Sequence, residues 1–297
     1  MNSVNTSQIR NALQLAAKVR AKAVMIFADP LEDLQYKGRV PKSVNLYLIS
    51  RKKKWEFDPD DTTSLGVHAK AFLQLPKINI TRVSIIKVAT SLALSSNYIN
   101  NGDVVVFLVG TPELGILDSL QILDTGKETE LVASKGIGDL AEGIHSEVFQ
   151  AVLNLSIELA EKGREGKPIG TIFVVGDHEN VLQFSKQMII NPFKGYDEED
   201  RNILSGSLKE TLREFASMDG AFVVSGDGVV ITAGRYLGAA TNDANLPRGL
   251  GSRHIAAAGI TALTKSIAFV ISESSGDLRI FKDGKILMTI EKSPAKK

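Results

Sequence analysis

Short apolar runs of strand length punctuate the first half of the chain: AVMIF at 23–27, NLYLI at 45–49, VSIIKV at 83–88 and DVVVFLV at 103–109. Runs this short and this apolar suit strands buried on both faces. Helical patterns alternate with them. Ile9, Leu13, Ala16, Ala17 and Arg20 keep helical spacing, and VATSLALSSNYI at 88–99 reads as a helix between the last two runs. The alternation predicts a mainly parallel α/β sheet. After residue 109 the segment GTPELGILDSLQILDTGKETELVASKGIG loses clear periodicity, and around Thr125–Gly138 it reads as a junction. The expected domains are therefore 1–126 and 127–297.

The second half mixes longer helices with hairpins. EVFQAVLNLSIELAEKG is a helix pattern closed by Gly163, and GTIFVVGD is a strand. Ser207 and Glu210 have the spacing of a capping box, which places Leu208, Leu212 and Phe215 on one buried face. MDGAFVVSGDGVVITAG predicts a hairpin turning at Gly226-Asp227-Gly228, and LRIFKDGKILMTI a second one turning at Asp283-Gly284. KSIAFVIS between them is a strand. The second domain is thus expected to be α/β with a mixed central sheet.

Composition removes several function classes. A net charge of +1 gives no general attraction to nucleic acid or anionic lipid. The basic run Arg51-Lys52-Lys53-Lys54 beside Trp55 is better read as a solvated loop than as an RNA surface. Zero cysteines exclude disulfides, thiolate metal sites and a cysteine nucleophile. The apolar stretch near the N-terminus is broken by Arg10, Lys18, Arg20 and Lys22, which fits neither a signal-peptide core nor a membrane span. A cytoplasmic protein without membrane contact is expected. No phosphate-binding loop of the Walker type and no dinucleotide fingerprint is present, and the four histidines are scattered.

Three signals in the second half converge. Asp219-Gly220-Ala221 sets a carboxylate beside a glycine that permits close approach to the backbone. Gly249-x-Gly251-Ser252-Arg253-His254 feeds cationic or donor-rich side chains into a helix start, where free N–H groups and the dipole favour an anion; the plainer reading is an N-cap serine with exposed neighbours. Ser272-Glu273 closes a strand. Carboxylates at two strand ends and a cationic cradle are the parts of a metal-assisted phosphoryl or nucleotidyl transfer site.

These residues, in this order, resemble the catalytic domain of the diadenylate cyclases, whose motifs are Asp-Gly-Ala and Gly-Thr-Arg-His-Arg. The resemblance spans roughly residues 140–291 and includes NPFKGY, the Leu237 after AGRY, and VISES followed by SGDLRIFKDGKI. Ser252 stands where the family has threonine, keeping the hydroxyl, and Ile255 replaces the last arginine. The resemblance implies condensation of two ATP molecules to cyclic di-AMP, with Asp219, Arg253 and His254 catalytic. It implies ATP contacts from Gly220, Ala221, Leu237, Gly251, Ser252, Arg253, His254 and Ser272. Mn²⁺ or Mg²⁺ is expected on Asp219 and Glu273, and a homodimer with facing sites is expected because each subunit holds one ATP. The alternative is a non-catalytic regulator that binds an adenine nucleotide through the same loop. The first half more loosely resembles the C-terminal α/β domain of pyruvate kinase, which implies effector binding or subunit contact and no catalytic residue. The combination resembles the archaeal branch of the cyclases.

Overall fold

The computed structural model describes residues 2–52, 55–75, 80–127, 143–163, 169–238 and 250–291. The chain divides into two compact units, 1–136 and 137–297. No helix among the described residues is long and apolar enough to cross a membrane.

In the first unit, helix α1 (Ser3–Lys18) leads into β1 (Ala23–Phe27), followed by β2 (Asn45–Ser50) and a short helix α2 (Leu65–His68). Then come β3 (Ala69–Gln74), α3 (Arg82–Ser95), β4 (Val104–Thr111) and β5 (Ile116–Asp124). The sheet order is β3-β2-β1-β4-β5, parallel except for the β4–β5 pair. Alternation along the strands puts Val24, Ile26, Leu46, Leu48, Val106 and Leu108 in one cluster with Ile9 and Leu13 of α1. The intervening residues, among them Met25, Phe27, Ile49 and Phe107, are buried too. That double burial is why the runs read as continuously apolar.

Two sequence expectations change here. VSIIKV is the first half of α3, not a strand. Thr81 caps that helix by accepting from the Ser84 N–H, and the helix buries residues all round, including Ile85, Ile86, Val88 and Leu92. A helix apolar on every side has no polar stripe to betray its period. The stretch 116–124, expected to be irregular, is the antiparallel edge strand β5.

The second unit begins with α4 (Ser146–Lys162), β6 (Thr171–Val175), α5 (His178–Gln183) and β7 (Ser185–Gln187). It continues with α6 (Leu208–Phe215), β8 (Ala221–Val224), β9 (Val230–Leu237) and α7 (Ser252–Leu263), and ends with β10 (Ile267–Ile271), β11 (Leu278–Lys282) and β12 (Lys285–Ile290). The mixed sheet has the order β12-β11-β10-β6-β8-β9-β7, with only β6 and β8 parallel. Both expected hairpins form, β8–β9 and β11–β12. Asp283 and Gly284 both have positive φ, as the tight turn between β11 and β12 demands. The capping box does not form. Ser207 has helical backbone angles and no side-chain cap bond, while Glu210 pairs with Arg213.

The register fixes what lies at each end of this sheet. Ile271 pairs with Thr171, and Ile172 pairs with Ala221. The end of β10, the starts of β6 and β8, and the end of β9 therefore share one sheet end. Helix α7 packs across this region, its Ala257, Ala258 and Ile260 clustering with Ile172, Val223 and Val270.

Candidate active site

Helix α7 starts at Ser252, with Gly251 as the extended N-cap residue and no side-chain cap. The Gly251 carbonyl accepts from the N–H groups of His254 and Ile255. This leaves the N–H groups of Ser252 and Arg253 without an intrahelical acceptor, the usual condition of a helix start. Ser252 is thus the first helical residue and not the cap. A cavity of about 610 Å³ opens here, between the start of α7 and the β10–β11 connection. Gly251, Ser252, Arg253, His254, Ser272 and Glu273 all line it, so six of the expected residues meet in one place.

Within that cavity Arg253 does not stand alone. Its Nη1 donates to Glu273 Oε2 at 3.0 Å, with both side chains partly exposed. The guanidinium passes over Gly170, the residue before β6. A Cβ at Gly170 would lie 2.5 Å from Arg253 Nη1 and 3.0 Å from Glu273 Cβ. The missing side chain at 170 is therefore what lets the arginine cross the sheet end. Glu273, expected to ligate a metal, is paired with Arg253 in this structure.

His254 is 6% exposed and packs against Phe281. Its Nε2 lies 3.0 Å from Arg279 Nη1, and Arg279 in turn lies 3.6 Å from Asp277. An arginine can only donate, so Nε2 accepts and the ring proton sits on Nδ1. That Nδ1 is buried without a hydrogen-bond partner. Burial, then the nearby Arg279 and Arg253 charges, push the His254 pKa down to about 4. Of the two readings open for the pair at the helix mouth, cationic or donor-rich, the imidazole fits the second: it is neutral and oriented by Arg279.

This has a consequence for stability. A protonation site depressed from its ordinary value of 6.5 to about 4 binds its proton more readily when unfolded. Its contribution is therefore whole above pH 6.5 and lost as pH falls towards 4. Chemical denaturation between pH 7.5 and 4.5 should show wild type losing stability that His254→Asn retains; parallel pH profiles would contradict the neutral, buried assignment.

Asp219 sits elsewhere on the same sheet end, just before β8. The β10–β6–β8 order puts it two strands from Glu273, about 10 Å at ordinary strand spacing. Its carboxylate is exposed, and its protein contact is the Gly220 N–H at 3.0 Å. Gly220 has φ +97°, and a Cβ there would lie 2.6 Å from the backbone of Gly234 in β9. The close approach that this glycine permits is thus the neighbouring strand. Ala221 is fully buried, and Leu237, 5% exposed, belongs to the cluster under α7; neither lines the cavity. Gly249 lies outside the described residues.

Among the described residues no three His, Asp or Glu side chains are grouped to hold a metal ion. An exposed carboxylate such as Asp219, with no cationic partner among the described residues, does fit a hard divalent ion that takes one protein oxygen and completes its shell with substrate phosphates and water. Gly170, beneath the Arg253 guanidinium, and Arg279, in the cavity wall, are not singled out by the sequence. The only signal for the first was a glycine directly before a strand.

The family model for the DisA bacterial checkpoint controller nucleotide-binding domain matches residues 158–286, which include every site residue above. A diadenylate cyclase from Haloferax volcanii is 34% identical over 76% of this chain and 81% of its own length. The solved structure of a pyruvate kinase from Cryptosporidium parvum is also similar, at 16% identity over 42% of this chain and 23% of its own, with a TM-score of 0.29. The parallel arrangement of the first unit therefore rests on its own strand pairing. A diadenylate cyclase from Methanocaldococcus jannaschii is 31% identical over 94% of both chains. With that similarity running nearly end to end, the chain belongs to the diadenylate cyclase family and is an enzyme, a nucleotidyltransferase.

Proposed function

We propose that the chain condenses two ATP molecules into 3′,5′-linked cyclic di-AMP, releasing two pyrophosphates, with one ATP held in each of two facing sites of a homodimer. The observation that carries this reading is the exposed, unneutralised Asp219 carboxylate at the same sheet end as the arginine-bearing start of α7. One group suits a hydroxyl and a metal, the other a polyphosphate.

The residues divide the work by position. The free N–H groups of Ser252 and Arg253 receive phosphate oxygens, with the helix dipole favouring the negative charge. Arg253 exchanges its exposed Glu273 partner for the triphosphate, a charge-assisted contact available before and during reaction. His254, fixed by Arg279, offers its Nδ1–H as a neutral donor, and Arg279 is a positioning residue. Asp219 orients the ribose 3′-hydroxyl and accepts its proton. Mn²⁺ or Mg²⁺ on Asp219 would lower the pKa of that hydroxyl and offset charge on the phosphates. Glu273, released when Arg253 turns to the triphosphate, is the second carboxylate that would meet the metal.

Incubation of the purified protein with ATP and Mn²⁺, followed by mass spectrometry, should yield cyclic di-AMP and two pyrophosphates per ring. ATP bound but recovered unchanged would instead favour a nucleotide-binding regulator.

A further inference from the structure

A second cavity lies in the first unit and is lined by none of the residues of the cyclase site. It measures about 530 Å³, between the middle of α1 and the 36–43 segment that precedes β2. Among the described residues three cationic side chains line it, Arg10 from the helix and Arg39 and Lys42 from the loop, and no carboxylate does. Among the described residues none of the three has an acidic partner. Two other arginines of this unit are paired, Arg51 with Asp29 at 2.6 Å and Arg82 with Asp118 at 2.5 Å. Three unpaired like charges round one concavity repel each other unless an anion joins them.

The frame that holds them is built. Tyr36 is 2% exposed, and its N–H donates to the Thr63 carbonyl at 2.6 Å. Its ring lies over Gly38, where a Cβ would come within 2.4 Å of the ring, so the loop can seat the tyrosine only because residue 38 has no side chain. Burial raises the Tyr36 pKa, and the Arg10 guanidinium beside its hydroxyl opposes that rise. Leu13 and Pro41 give the cavity apolar wall, while Gln14 and Ser43 add neutral hydrogen-bonding groups. Volume and lining are those of a small-molecule site and not of a flat basic patch.

From these observations we infer that the first unit carries a binding site for a phosphorylated small molecule, with Arg10, Arg39 and Lys42 holding its phosphate. The anion neutralises the three charges, and the apolar and neutral polar walls take its body.

The test uses the full chain and labelled pyrophosphate as probe, in equilibrium dialysis without ATP or divalent metal. Arg39→Glu combined with Lys42→Glu should weaken binding at one site per chain by at least tenfold. Arg39→Lys combined with Lys42→Arg, which keeps both charges, should preserve it. Arg253→Ala, which removes one of the two guanidinium groups of the cyclase cavity, should leave it in place. Equal binding by wild type and the charge-reversed protein would overturn the proposal, as would equal loss in the charge-reversed and charge-keeping pairs. Disappearance of all binding in Arg253→Ala would assign the probe to the cyclase site alone.

Discussion

Asp219→Asn is expected to lower cyclic di-AMP formation by about a hundredfold or more while leaving the fold and most ATP binding intact. The carboxylate is exposed, and its protein contact is the N–H of the next residue, a bond that the amide oxygen of asparagine can keep. Nothing in the packing depends on its charge. What the substitution removes is a negative group beside the 3′-hydroxyl, and loss of one electrostatic element of this kind is commonly worth ~3 kcal/mol in the transition state. Turnover under saturating ATP and Mn²⁺, measured beside ATP affinity and thermal unfolding, separates the effects. Near-wild-type turnover would move the proton acceptor to another group, with Glu273 as the first to examine. A collapse of ATP affinity with turnover unchanged would make Asp219 a binding residue only.

Legibility of the fold followed the reach of each signal. AVMIF, NLYLI and DVVVFLV were readable because a strand buried on both faces needs only local apolarity, and each became a strand. VSIIKV met the same criterion and became helix. Its decisive cue was Thr81 as cap, which the strength of the apolar run hid. ILDSLQILD was hard to read because an edge strand buries less and alternates weakly, its burial being uneven along its length. Ser207-x-x-Glu210 had the spacing of a cap but lost its glutamate to Arg213, a competition that spacing cannot show.

The site was legible as a set of residues and not as an arrangement. The resemblance implies catalytic roles for Arg253 and His254 and a metal on Glu273, and the cavity brings the three together. It could not say that Glu273 pairs with the arginine, or that His254 is neutral. Those facts arise from contacts across the sheet: Arg253 with a residue twenty positions away, and His254 with one twenty-five positions away. Gly170 belongs to the same class, since its need for a bare Cα is set by a guanidinium from another element. Ile255 is partly exposed at the start of α7, where a family arginine would reach solvent. Arg279 brings a guanidinium to the same cavity from β11, so the loss of charge at 255 does not leave His254 without a cationic neighbour.

The facing-site reading makes the second large prediction. Each ATP presents a 3′-hydroxyl that must attack the α-phosphate of the other, so a ring needs two phosphodiester bonds and two competent sites. Asp219→Asn protein, which keeps ATP binding, should therefore poison wild type when the two are mixed and allowed to exchange subunits. A mixed dimer holds two nucleotides but has one site able to activate a hydroxyl, and it stops at the linear, singly joined product. With random pairing in a symmetric dimer, cyclic product should fall as the square of the wild-type fraction, so an equal mixture retains about a quarter of the activity. Dilution should lower specific activity too, by mass action on assembly. The mixture is assayed after subunit exchange has been verified with differently tagged proteins, and linear and cyclic products are quantified separately. A strictly proportional decline with no linear intermediate would mean that one subunit closes the ring unaided, and the facing-site mechanism would have to be given up even if Asp219 proved essential. The two experiments thus test separate claims, the chemistry within a site and the geometry between sites.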